Sequence, residues 1–324
     1  MKKVFKISIR LFFFLILILI ILINVIAYKQ AYNFTHFVTQ AESIAIEDID
    51  QLSFQKKLKY LFEGVATPRP VNDQLPKVPY ETVYLESDSG NRLEGWLLPT
   101  QHAKGTIIIL PGYTNVKSHF LEEAYALRKS LPYNILLLDF SAHGGSTGNM
   151  TSIGYFEALD VACAYTYAQT LDGDVILYGI SMGAVATLRA VSELNITPQA
   201  LLLECPYESM LKAVQNRFEM VGVPSFGLAE ILVFWGGIQN GYWAFDLEST
   251  HYAANINVPT LLMYGALDKR VERGEIDRIY EQLPSPKMFK VFEDVGHSSY
   301  YAKHPRIWRS TIKDFLLSIL PKVY

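Results

Sequence analysis

Cysteine is nearly absent. Cys163 and Cys205 are the only two in 324 residues, too few for a disulfide framework, and both read as buried free thiols. No Cys-x-x-Cys or His-x-x-x-His spacing accompanies the seven histidines, so no metal site and no cofactor is expected. An excess of one charge is also missing. The formal net charge is −3, and lysine and arginine form no block beyond the N-terminus, which excludes nucleic acid as the main partner. No internal repeat and no low-complexity tract interrupts the chain. Charged residues make up 19% while half the residues are hydrophobic, an apolar balance for a soluble enzyme and a pointer to a membrane segment.

That segment is LFFFLILILIILINVIAY, residues 11–28, which carries no charge. As a helix it would run roughly 27 Å at about 1.5 Å per residue, close to a hydrocarbon core of about 30 Å. Lys2, Lys3, Lys6 and Arg10 precede it and only Lys29 follows closely. The asymmetry predicts a cytoplasmic N-terminus and a single-pass anchor, with the rest of the chain outside the cytoplasm. A cleaved signal peptide ending near Val25-Ile26-Ala27 competes, but the run exceeds the usual apolar stretch of about 7–15 residues. No cysteine follows closely enough for a lipoprotein anchor.

The expected organisation is therefore an N-terminal tip and anchor over 1–28, a polar neck over 29–79, and a catalytic domain over 80–324. The neck ends in ATPRPVNDQLPKVP, whose prolines forbid regular helix and read as an extended tether. From residue 80 the pattern changes. YETVYLES and RLEGWLLP flank the turn composition DSGN, a predicted β-hairpin. The apolar runs GTIIILPG, YNILLLDFS, DVILYGIS, ALLLECPY, PTLLMYGALD and KMFKVFED then alternate with helical stretches. Their near-continuous Ile, Leu and Val imply burial on both faces, as in a parallel sheet covered by helices. Residues 208–255 break the alternation with a long, aromatic, glycine-broken interval, read as a small helical lid over the sheet's C-terminal edge. An ordinary buried helix pair is the plainer alternative there.

Ligand sites of open parallel sheets lie at the carboxyl ends of strands. There, Ser181 ends DVILYGIS within Gly179-Ile180-Ser181-Met182-Gly183. With 20 glycines and 20 serines in 324 residues, chance supplies about 0.08 such pentads. The strand before and the small helix-forming residues after make it a nucleophile elbow, with Gly179 and Gly183 admitting close backbone approach. A serine hydroxyl needs a base. His297, in FEDVGHSSY after the last predicted strand, is the histidine so placed; His36, His102, His119, His143, His251 and His304 fall in the neck, turns, helices and a glycine loop. The carboxylate that orients this base is expected to be Asp268, with Glu204 as the runner-up. Asp139 is expected to cap the AHGGSTGN loop. The oxyanion donors are expected to be the backbone N–H groups of Met182 and of Tyr113, in the loop after GTIIIL.

PGYTNVKS, LDFSAHGGSTGN, GISMG, GALDKRV and GHSSY together give residues 80–320 a resemblance to α/β-hydrolase fold serine hydrolases. The chain is most similar to membrane-anchored bacterial hydrolases with a serine-aminopeptidase-like, prolyl-oligopeptidase-related domain. The resemblance implies an eight-stranded, mostly parallel sheet and the triad Ser181–Asp268–His297. Many relatives carry His-Gly where this chain has Pro111-Gly112, which keeps backbone donation but removes any side-chain role. The expected function is a serine hydrolase forming an acyl-enzyme on Ser181, acting on a carboxylic ester with an apolar, lipid-like acyl part. Phe226, Leu228, Phe234, Trp235, Trp243 and Phe245 of the lid motivate that preference. The alternatives are a peptidase or amidase using the same triad, with Glu219 or Glu230 available to bind an amine, and a non-catalytic binding protein at the membrane. Glycosylation-like sequons at Asn33, Asn149 and Asn195 read as chance in a chain of bacterial style.

Overall fold

The computed structural model describes residues 2–39, 55, 62–284 and 286–320, with backbone alone for 2–8. Most of 40–61, part of the expected neck, lies outside the described residues. The predicted hairpin forms strands β1 (Glu81–Glu86) and β2 (Arg92–Leu98), antiparallel around the DSGN turn. Six more strands follow: β3 (Gly105–Leu110), β4 (Asn134–Leu138), β5 (Asp174–Ile180), β6 (Ala200–Glu204), β7 (Thr260–Gly265) and β8 (Lys287–Phe292). They complete one eight-stranded sheet in the order β8-β7-β6-β5-β3-β4-β2-β1. β3 to β8 are parallel, and β2 runs antiparallel to both its neighbours.

Every residue of β3 and β7 is buried. Strand geometry sends alternate side chains to opposite faces, and the two faces build two cores. Ile108, Leu110, Leu136, Leu138, Leu177, Leu201 and Leu203 pack on one side. There they meet helices α3 (Glu157–Gln169) and α4 (Met182–Glu193). Ile107, Ile109, Ile135, Leu137, Ile176 and Leu202 face the other side. They meet α2 (Leu121–Ser130) and α10 (Pro305–Ile319), whose Trp308 is fully buried. Apolar residues on both strand faces are thus what a two-sided helical cover requires.

From β3 the chain moves to β4 on one side and later to β5 on the other. Such a reversal leaves a crevice beyond the carboxyl ends of the two strands. The crevice is roofed by the segment between β6 and β7, which folds into α5 (Met210–Met220), α6 (Leu228–Asn240), a short 3₁₀ turn over Ala244–Asp246, and α7 (Ser249–Ala254). Ser209 caps α5 by accepting from the Lys212 N–H at 3.1 Å, and Gly241, at φ 75°, ends α6 in the left-handed region. The aromatic interval is therefore a helical insertion with exposed apolar residues, Phe226 at 91% and Trp243 at 49% exposure among them. α8 (Arg273–Gln282) and α9 (Tyr300–Lys303) complete the fold.

The N-terminal helix differs from expectation. α1 (Lys2–Thr35) is one element of 34 residues. Its stretch Ile9–Thr35 is long and apolar enough to cross a membrane by length and composition. It does not stop at the expected boundary of residue 28, and its last turns lie on α6. Ala27 and Ala31 are buried, small enough to let the helices close, with Gly236 facing Ala31. Trp235 Nε1 donates to Asn24 Oδ1 at 3.0 Å, Gln239 Nε2 to the Tyr28 carbonyl at 2.7 Å, and the Tyr28 and Trp235 rings meet edge-on at 5.3 Å.

Where it is described, the expected neck is likewise part of the domain rather than a tether. Phe37–Val38 pairs with Thr67–Pro68, and Arg69 donates to the carbonyls of Ser146 and Gly148. Asn72 Nδ2 donates to Asp139 at 2.7 Å. The prolines do keep this stretch extended, as expected, but side-chain donors fasten it down.

Candidate active site

Ser181 sits between β5 and α4 at φ 52°, ψ −114°, a conformation that an L-residue holds only when its surroundings enforce it. The flanking glycines are what allow it. A Cβ on Gly179 would stand 2.6 Å from the Gly183 carbonyl oxygen, and one on Gly183 would press into the Leu110 carbonyl of the neighbouring strand. The Ser181 N–H donates to the Glu204 carbonyl at 2.8 Å, tying the elbow to the end of β6.

The loops after β7 and β8 bring two more side chains to this point. His297 Nε2 lies 3.0 Å from Ser181 Oγ, and its Nδ1 lies 2.7 Å from Asp268 Oδ2. The other Asp268 oxygen accepts the backbone N–H groups of Arg270 at 2.7 Å and Val271 at 3.0 Å, so the buried carboxylate is held from both sides. A carboxylate only accepts, which assigns the proton to Nδ1 and leaves Nε2 as the acceptor for the serine hydroxyl. The residues singled out as nucleophile, base and orienting acid are thus brought together across 116 residues of chain.

Glu204, the runner-up acid, is not among them. It is buried, and its Oε1 accepts from Tyr178 Oη and Trp308 Nε1, both at 2.8 Å. Burial raises its carboxyl to about 7. Asp139 does hold the AHGGSTGN loop, accepting the Gly145 N–H at 2.9 Å, and it also pairs with the buried Lys117. His143 is buried, donates from Nδ1 to the Ser141 carbonyl at 2.8 Å and meets the Phe37 ring edge-on at 5.0 Å.

Both expected oxyanion donors flank the serine. Met182 opens α4, where the N–H groups of a first turn have no intrahelical acceptor. Gly112 and Tyr113 follow β3 and line the same cleft, and a Cβ on Gly112 would stand 3.4 Å from that of Ser181. The Tyr113 side chain is committed elsewhere. Its hydroxyl donates to the Phe34 carbonyl at 2.7 Å, its ring stacks on Phe34 at 4.8 Å, and desolvation raises the phenol to about 12.

The cleft has a volume of about 230 Å³. Residues missed in the sequence line it: Glu123, whose buried carboxyl accepts from Ser299 Oγ at 2.5 Å and is pushed up by burial, and the cations Arg217 and Arg270. Glu219 and Glu230, considered for an amine, do not line the cleft. Among the described residues, Cys205, Asp268 and His297 bring metal-type donor atoms within 4.8 Å of one another. Asp268 and Ser181 already engage both imidazole nitrogens there, so a cation would have to displace one of them. Burial pushes the Cys205 thiol well above its ordinary value, leaving it protonated.

A sheet of this order, with a serine on its central elbow facing a histidine and a buried aspartate, defines the class of α/β hydrolases. The chain belongs to the alpha/beta hydrolase family, whose model matches residues 107–307. Among curated proteins it is similar to the uncharacterized protein YqkD of Bacillus subtilis, 26% identical over 72% of this chain and 77% of that one. It is also similar to the alpha/beta hydrolase domain-containing protein WAV2 of Arabidopsis thaliana, 24% identical over 84% of this chain and 90% of that one. Among solved structures it resembles the Pyrococcus furiosus esterase Pf2001, with a TM-score of 0.65 and 24% identity over 78% of this chain and 97% of that one.

Proposed function

We propose that this hydrolase is a membrane-anchored carboxylic ester hydrolase working through an acyl-enzyme on Ser181. The observation that carries it is the hydrogen-bond chain from Asp268 through His297 to Ser181, at 2.7 and 3.0 Å. In this mechanism His297 Nε2 takes the hydroxyl proton as Oγ attacks the ester carbonyl. The oxyanion forms against the N–H groups of Met182 and Tyr113. Collapse expels the alcohol, which receives the proton from His297, and a water repeats the sequence to release the acid. Asp268 positions the imidazole and stabilises its charged form.

An ester is favoured over a peptide by the cleft's own acids. An amine terminus calls for a free carboxylate, whereas Glu204 is taken up by Tyr178 and Trp308, Glu123 by Ser299, and Glu219 and Glu230 lie outside the cleft. The likeness to an esterase agrees with this choice. Residues 11–28 act as the anchor, and Lys2, Lys3, Lys6 and Arg10 keep the N-terminus in the cytoplasm.

The test uses the full chain in a bilayer, since α1 packs on the domain. Turnover of p-nitrophenyl butyrate and labelling by a fluorophosphonate are expected, and Ser181→Ala should lose both. Turnover that survives Ser181→Ala would refute the mechanism, and a wild-type protein that takes no label would favour the binding-protein reading.

A further inference from the structure

A second cavity, of about 210 Å³, lies beside the cleft and away from the Ser181–His297 pair. Its walls come from three helices: Ala31 and Phe34 of α1, Val214 and Phe218 of α5, and Val233 and Gly236 of α6. The surface they present is almost wholly carbon. Arg217 lines this cavity and the cleft alike. Its guanidinium lies 5.4 Å from the Phe34 ring centroid and donates to the Ala213 carbonyl at 3.2 Å, so this side chain is held in place between the two spaces. Phe34 in turn stacks on Tyr113, beside the nucleophile.

We infer that this cavity holds the acyl chain of the substrate, and that the substrate is an ester of a membrane lipid drawn from the leaflet next to the catalytic domain. The inference rests on the esterase reading above and names its substrate class. Three observations choose that occupant. One wall is the continuation of the apolar helix itself, through Ala31 and Phe34. The helical insertion that supplies two of its walls also carries exposed apolar residues, Phe226 at 91%, Ile238 at 50% and Trp243 at 49%. A patch of this kind is costly in water and suited to a bilayer surface. Tyr28 and Trp235 meet at the helix junction, aromatic residues of the type that sit at headgroup level. A chain seated between α1 and α5 would run past the Arg217 stem and present its carbonyl to Ser181, with the headgroup directed to the open cleft.

The full-length protein in nanodiscs is assayed with p-nitrophenyl acetate and p-nitrophenyl dodecanoate. Ala31→Trp and Val214→Trp fill the cavity from different helices, so a packing failure in one leaves the other informative. Labelling by a fluorophosphonate checks that each is folded. The ratio of kcat/KM for dodecanoate over acetate is expected to fall at least tenfold in each labelled variant. A ratio within twofold of wild type would overturn the acyl site. Nanodiscs of dioleoylphosphatidylglycerol or containing dioleoylglycerol should release oleate in a Ser181-dependent manner, and release from neither would overturn the lipid assignment. Absence of Ser181-dependent turnover of both p-nitrophenyl esters would instead strike the underlying esterase reading.

Discussion

Glu204→Gln tests whether the acid behind the elbow is held neutral by its surroundings. Glu204 is 3% exposed, and its Oε1 accepts from Tyr178 and Trp308. Gln keeps an oxygen for both donors and cannot ionise. Burial is the leading cause that raises the wild-type pKa from 4.5 to about 7. In the window between those values the unfolded chain has released its proton while the folded protein retains it, so stability falls as pH rises. Above about pH 7 the loss is complete. A difference of about 2.5 in pKa, at 1.36 kcal/mol per unit, makes it about 3 kcal/mol. Asp160, also buried and raised to about 6, titrates in the same window but is common to both proteins and cancels in their difference. Thermal unfolding of wild type and Glu204→Gln in nanodiscs from pH 4 to 8 should therefore give a difference curve that is flat below pH 4.5. It should rise in favour of the variant through pH 7, reaching on the order of 5 °C. Parallel curves across the range would refute the claim that a neutral acid is buried there.

Asp268→Asn leaves the side-chain volume intact but supplies an amide where His297 needs a carboxylate. Turnover of p-nitrophenyl butyrate should fall by about 10³–10⁴, and a loss below tenfold would remove Asp268 from its positioning role. Lys117→Met strips the buried Asp139 of its cation. Lys117 Nζ also reaches Glu94 at 2.8 Å and the Trp96 ring at 4.4 Å. Leaving that aspartate unpaired should cost about 3–5 kcal/mol, read as a lowered unfolding temperature. Asp139→Asn in the same background should recover part of it.

The sheet was legible because each strand announces itself as a short run of Ile, Leu and Val, and because parallel strands buried on both faces have no polar alternation to confuse them. The elbow was legible because crowding at Gly179 and Gly183 leaves no other residue type admissible. Asp268 was named ahead of Glu204 although nothing local separates the two acids. What separates them in space is that Tyr178 and the Trp308 indole, 104 residues beyond Glu204, take up its carboxyl. The docking of α1 was hidden for a different reason. Asn24, Ala27 and Tyr28 read as the end of the anchor and Ala31 and Phe34 as part of the neck, yet Asn24 and Tyr28 find partners on α6, 211 residues away, and Phe34 finds Tyr113 in the loop after β3, 79 residues away. Arg217 and Glu123 gave no signal, since nothing local distinguishes a cation or acid that turns towards a cleft from one that faces water.

The bond from Tyr113 to the Phe34 carbonyl has a practical side for anyone preparing a water-soluble version of this hydrolase. Shortening the chain ahead of Asn24 would discard most of the greasy rod and keep the Trp235 and Gln239 clasps. Cutting after Thr35 would instead strip away a brace of the loop beside the nucleophile and uncover the carbon-lined groove on the insertion. The two trimmed proteins would share every residue of the sheet and yet differ in how firmly one rim of the cleft is set.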